Sequence, residues 1–261
     1  MPHLLIDRLR SNPLAGLQIH KALVPIKRRS FVSAVLVECL DVLAGLIFIV
    51  GSICFLPEYA HDVSTFINGC ALFVVGAIIF MFISSLTSWE AIRHCGCKSL
   101  ETFENMLYLV GSAFFLIGTL LYWPDKAHTY GIESLKSMSL GVYFNLFSPV
   151  FEGTVLFIVG SLLFALAAFV NGLNLNDEDT TSRQLLTVTT TSYLIGSILF
   201  IVGSIALLPT LGGTDEMEAS GAWCFILGSI LYVIGSSVSL WRTLRCSKSD
   251  EQLSVAQVPS S

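Results

Sequence analysis

Residues 51–57 read GSICFLP, residues 118–124 read GTLLYWP, and residues 203–209 read GSIALLP. Each stretch runs from glycine through Ser or Thr and an apolar run to a proline six places on. The register extends upstream. Phe48, Phe115 and Phe200 stand three residues before the glycine, Ala44, Gly111 and Gly196 seven before, and Asp41, Tyr108 and Tyr193 ten before. A second pattern, G-x-x-x-F-x-x-G-[AS]-x-x-[FY], follows each copy of the first. It reads GCALFVVGAIIF at 69–80, GTVLFIVGSLLF at 153–164 and GAWCFILGSILY at 221–232. The outer copies continue to Trp89/Arg93 and Trp241/Arg245, where the middle copy has Leu173 and Asp177. Two elements alternating three times mark a tandem repeat.

Composition says which solvent the repeat meets. Of 261 residues, 54% are hydrophobic and 13% charged, against about 25% charged in a soluble domain; the mean hydropathy is +0.75. The charges sit in blocks, and six apolar runs lie between them, near 31–56, 66–86, 106–123, 150–170, 186–208 and 221–240. Each is close to or above the ~18–20 residues that a membrane helix needs. The expected fold is an all-α integral membrane protein whose six transmembrane helices form three tandem helical hairpins. These are parallel repeats about a pseudo-threefold axis along the membrane normal. The expected division is a basic arm over 1–30, repeats over 31–95, 103–175 and 186–245, and a tail over 246–261. The arm lacks the continuous apolar stretch and cleavage site of a secretory signal.

Twelve of the fourteen Lys and Arg residues fall on one side of this topology, in the arm, the even-numbered connections and the tail; only Lys126 and Lys136 fall on the other. The positive-inside rule then places both termini in the cytoplasm. The sequence does not identify the organelle. The net charge of −5 comes from the connections and says little about partners; no nucleic-acid patch is visible. The expected partners are the lipid bilayer and either another membrane protein or a second copy of the chain.

Small residues recur seven apart, close to two helical turns, so they stack on one face. Gly51, Gly76, Gly118, Gly160, Gly203 and Gly228 are the expected packing positions, because in lipid close backbone approach holds helices together. The Ser or Thr after each glycine can bond back to its own helix, and the Phe residues can fill gaps between hairpins. Pro57, Pro124 and Pro209 are expected to stop the odd helices.

These paired motifs resemble the YrhK-like domain, a small two-helix membrane module. The resemblance spans residues 31–245 as three copies. It implies a helical membrane unit and carries no established activity or catalytic residue.

Where the copies differ, function has room. The spacing between the two reference glycines is 25, 42 and 25 residues, so the middle hairpin carries an insertion at about 125–148. Its run MSLGVYFNLF suits a short interfacial helix, read either as a lid or as a recognition element. Glu38 and Asp41 are carboxylates within the first apolar run. Asp41 lies 16 residues before Pro57, about 24 Å along a helix at ~1.5 Å per residue. In a ~30 Å core that is the inner boundary, so the pair reads as an interface anchor, with a cation or proton site as the sharper reading. Asn68, Glu152 and Ser220 read as starts of the even helices. Cys95, Cys97 and Cys246 sit at helix ends, where lipidation competes with a plain thiol. His94 with Cys95 and Cys97 is too tightly spaced for a zinc site.

No catalytic, metal or cofactor-binding residue is proposed, and the chain is expected not to be an enzyme. Its function reads as a structural or partner-binding bundle. The alternative is a small-solute or ion transporter or channel with a path between the three hairpins.

Overall fold

The structure, a computed structural model, describes residues 31–123, 149–173, 180–208 and 214–256. The helices are α1 (Phe31–Ile53), α2 (Pro57–Ala60), α3 (Val63–Cys95), α4 (Leu100–Leu121), α5 (Pro149–Leu173), α6 (Thr180–Ala206) and α7 (Asp215–Ala256). All except the single turn α2 are long and apolar enough to cross a membrane. The described residues are those of an all-helical membrane protein with six such helices, as the hydropathy predicts.

The spanning helices form a closed ring. Each packs on its neighbours in sequence, and α7 returns to pack on α1. The hairpins are α1 with α3, α4 with α5, and α6 with α7. One end of the ring, here the proline face, carries the turns after Ile53, Leu121 and Ala206. The opposite end, the terminal face, carries the start of α1 and the end of α7. Large apolar side chains point outward, among them Leu36, Leu43 and Val50 of α1 and Ile195, Ile198 and Val202 of α6. Small, aromatic and hydroxyl side chains point inward. Lipid tails solvate the outer face, so packing and not water exclusion selects what lies inside.

Helix ends depart from the hydropathy reading. The even helices start earlier. Asp62 caps α3, accepting from the Thr65 N–H at 3.1 Å and the Thr65 hydroxyl at 2.8 Å. Those bonds hold its carboxyl below the usual carboxylate range. Asn68 and Ser220 therefore lie inside helices and do not start them; Ser220 donates to the Glu216 carbonyl at 2.8 Å. Glu152 is in the first turn of α5, where a negative charge suits the helix dipole. The helix through α7 also runs past residue 246 to Ala256, where a tail was expected. Charged turns that leave the hydrocarbon region stay helical, yet they register as polar in hydropathy.

Pro57 differs from expectation too. The helix α1 ends at Ile53, and Pro57 opens α2 at its first position. Leu56 before it is extended, with φ −62° and ψ 137°, as steric clash with the following ring requires. Pro124, Pro209, the basic arm 1–30 and the insertion at about 125–148 lie outside the described residues. The first and second hairpins join through Gly96, whose φ of 81° suits glycine alone. Its N–H closes α3 on the Ile92 carbonyl, while Ser99 caps α4 and the Thr102 hydroxyl bonds the Gly96 carbonyl at 2.9 Å.

Candidate functional site: a closed axis with a cavity at each end

The glycines build the centre of the ring. A Cβ placed on Gly118 would lie 2.9 Å from the Gly153 carbonyl oxygen, and one on Gly153 would lie 2.8 Å from that of Gly118. The same reciprocal approach joins Gly111 to Gly160, Gly196 to Gly228, and Gly203 to Gly221, at 2.9–3.1 Å. Gly51 and Gly69 meet likewise at 3.3 and 3.2 Å. Each hairpin is therefore a glycine-on-glycine contact between its own two helices. Rings seat on the same glycines. Cβ atoms on Gly51 and Gly76 would strike Phe73 and Phe48 at 2.7 and 2.9 Å, and one on Gly228 would strike Phe200 at 2.9 Å. The hydroxyl that follows each first-helix glycine bonds back to the carbonyl of the seated residue's own helix. Ser52 reaches Phe48 at 2.7 Å, Thr119 reaches Phe115 at 2.9 Å and Ser204 reaches Phe200 at 2.7 Å.

The seated rings converge on the axis in layers. Nearest the proline face, Phe73, Phe157 and Phe225 form a triangle with ring centroids 6.2–6.4 Å apart. Below it, Phe115 meets Phe48 at 5.9 Å and Phe200 at 5.5 Å. Nearest the terminal face, Phe80, Phe164 and Tyr232 form a second triangle with sides of 6.1–6.4 Å. An apolar void of about 20 Å³ remains between the lower layers. These contacts are edge-on or tilted, the arrangement that ring quadrupoles favour.

Above the first triangle a cup of about 340 Å³ opens on the proline face. Phe73, Phe157 and Phe225 line its base, and Phe55, Phe66 and Tyr122 add further rings. Among the described residues, polar lining comes from Thr119, Thr154, Ser204 and Cys70, and one carboxylate, Glu218, lines it as well. Burial pushes the Tyr122 phenol above its usual value despite its bond with the Thr154 hydroxyl, so Tyr122 stays a neutral wall.

At the terminal face the interior turns polar. Glu38 and Asp41, expected at the membrane boundary, are buried between helices, with 0% and 2% exposure. Ser239 of α7 donates to the Glu38 carboxylate at 2.7 Å. Arg242 and Glu104 are buried at this end too. Beyond the Phe80 layer lies a second, far smaller cavity that Asp41 lines. Cys95 is half-buried and Cys97 exposed, and neither is in a disulfide; the side chain of Cys246 lies outside the described residues. Trp89 and Trp241 are exposed on the outer surface near this end, with the Arg93 guanidinium 5.7 Å from the Trp89 ring. Such rings suit a membrane–water boundary.

Sequence reasoning found the glycines but not what they seat. The convergence of nine aromatic positions on one axis and the cup above them depend on the ring closing. The one legible signal was the repeated F-x-x-G spacing in both helices of every hairpin.

The family model described as YrhK-like protein matches residues 31–85 and 183–244. These regions fall in the first and third hairpins, so two of the three expected copies are matched and the middle hairpin is not. No curated protein and no solved structure matches the chain.

Proposed function

We propose that this YrhK-like chain is a membrane binding protein that holds a small amphipathic cation in its proline-face cup, and that its axis does not conduct. One observation carries the reading: a cup of about 340 Å³ sits directly over an axis filled by aromatic layers. The volume falls within the ~300–1,000 Å³ of small-molecule sites. Aromatic walls with one carboxylate attract a cation with an apolar body, through ring quadrupoles and charge. The described helix ends and turns at this face carry Glu58, Asp62, Glu152, Asp215, Glu216 and Glu218, and no Lys or Arg. Binding, not turnover, is the activity assigned.

The basic asymmetry supports an orientation with the terminal face in the cytoplasm and the cup on the opposite side. Epitope tags at both termini are expected to be reached by antibody only after permeabilisation of the membrane that holds the protein. Labelling of intact cells or sealed organelles would reverse the assignment.

The binding test uses the full chain in detergent, with phenethylamine and its neutral counterpart phenethyl alcohol as probes. The amine should raise the thermal midpoint saturably and the alcohol much less. Glu218→Gln should weaken the amine about tenfold, near 1.4 kcal/mol, without weakening the alcohol. Equal responses to both probes, or none to either, would overturn the cation reading. A second reading, transport, draws on the two cavities lying at opposite ends of one axis. It requires the aromatic layers to part, and net uptake of labelled amine into proteoliposomes would establish it over the first.

A further inference from the structure

The polar groups that line the proline-face cup accept hydrogen bonds and have little left to donate. Ser204 of α6 gives its hydroxyl proton to the Phe200 carbonyl at 2.7 Å, and Thr119 of α4 gives its own to the Phe115 carbonyl at 2.9 Å. A hydroxyl that has spent its proton keeps its lone pairs and can only accept. The Glu218 carboxylate accepts as well. The Tyr122 and Thr154 hydroxyls bond each other, which leaves at most one proton between them, and the Cys70 thiol is a weak donor. The lining backbone adds nothing. The N–H groups of Phe55, Tyr122, Leu207 and Leu208 bond carbonyls within the turns that end the odd helices. Those of Ala60, Phe66 and Glu218 bond Leu56, Asp62 and Thr214.

Two of these acceptors lie together in the third hairpin. A Cβ on Gly203 would lie 2.9 Å from the Phe225 ring and from the Gly221 carbonyl oxygen, and one on Gly221 would lie 3.1 Å from that of Gly203, so the two glycines are level. Ser204 is one residue nearer the proline face and Glu218 three, about 1.5 and 4.5 Å along their helices. The hydroxyl and the carboxylate therefore differ by about 3 Å in depth, on adjacent helices, and both line the cup. Ser204 is 1% exposed, while Glu218 is exposed at the rim. The residue at the place of Glu218 is Phe66 in the first hairpin and Val150 in the second, so the pair of carboxylate and hydroxyl occurs in the third hairpin alone.

Resting on the reading of the cup as a cation site, we propose that its ligands are primary ammonium compounds and that quaternary ammonium compounds are discriminated against. The ammonium sits between the Ser204 Oγ and the Glu218 carboxylate and donates to both. A primary ammonium brings three N–H donors to a lining that supplies acceptors. A trimethylammonium group carries the same charge and satisfies the rings equally, but it has no N–H and lays methyl groups over the Ser204 oxygen. A site built to hydrogen-bond a group rejects the analogue that lacks it, because its own polar atoms are then left unpaired. Rings and charge alone would accept either cation; the acceptors of the third hairpin set the preference.

The test compares phenethylamine with its N,N,N-trimethyl analogue by the thermal midpoint of the full chain in detergent. Both should stabilise the protein, the amine at a concentration about tenfold lower, the worth of one hydrogen bond to a charged group. Ser204→Ala should weaken the amine by about that factor and leave the trimethyl compound unchanged, whereas Glu218→Gln should weaken both. Equal potency of the two cations, or a preference for the trimethyl compound, would overturn this inference and leave the cup standing as a cation site. An unchanged ratio between them in Ser204→Ala would overturn it as well, since size and not hydrogen bonding would then set the preference. Stabilisation by neither cation would overturn both the inference and the reading of the cup on which it rests.

Discussion

Phe73→Ala is expected to destabilise the bundle by about 3–5 kcal/mol, the range for deleting a fully buried ring. Phe73 is 1% exposed and meets rings from all three hairpins. Its centroid lies 5.0 Å from Phe48, 5.1 Å from Phe55 and 6.2–6.4 Å from Phe115, Phe157 and Phe225. It also covers Gly51, whose missing Cβ would sit 2.7 Å from the ring. Truncation therefore loses packing to two other hairpins at once and opens the base of the cup into the axis. The neighbours cannot close the gap, because glycine contacts hold the helix backbones where they are. The comparison is Leu46→Ala on the outer face, where the side chain is 47% exposed and lipid replaces what is lost. Unfolding in detergent should separate the two variants clearly. A Phe73→Ala protein as stable as Leu46→Ala would mean that the axial rings do not hold the ring of helices together.

Gly118→Ala is expected to destabilise the middle hairpin by about 1–3 kcal/mol. The new Cβ would meet the Gly153 carbonyl oxygen at 2.9 Å. That atom belongs to a helix backbone, so α4 and α5 must separate along their length. Gly172→Ala is the matched contrast. Its Cβ would find only a Thr190 methyl at 3.4 Å, an ordinary contact, and alanine favours the helix by roughly 0.8–1.0 kcal/mol over glycine. Melting should rank Gly172→Ala at or above wild type and Gly118→Ala well below it. The reverse order would place the close approach elsewhere than at Gly118.

These two substitutions also separate what was readable from what was not. The glycine positions were readable because they recur at a period that matches the helix, and the hydroxyls beside them because back-bonding to the i−4 carbonyl is local. The count of spans and their pairing in hairpins follow from hydropathy and the repeat. The ends of helices were not readable. Asp62 caps α3 ahead of its apolar run, and α7 starts at Asp215, because a helix leaving the hydrocarbon keeps its backbone bonds while its side chains turn polar. Pro57 was legible as a boundary but not as the first residue of a new turn.

The carboxylates mark the limit most clearly. Depth along α1 placed Glu38 and Asp41 near a membrane boundary, a one-dimensional measure that says nothing about which way a side chain faces. Their burial depends on α7, whose Ser239 stands 201 residues from Glu38 in the chain and reaches it because the ring closes. By itself the sequence determined the spans, the hairpins and the small-residue contacts, since hydropathy, helical period and local hydrogen bonds act within one or two neighbouring helices. Only the tertiary structure decided that nine aromatic side chains meet on one axis, that a cup opens above them, and that Glu38 and Asp41 are buried below. Those features require three hairpins to face a common centre, and no pairwise helix contact specifies where that centre lies.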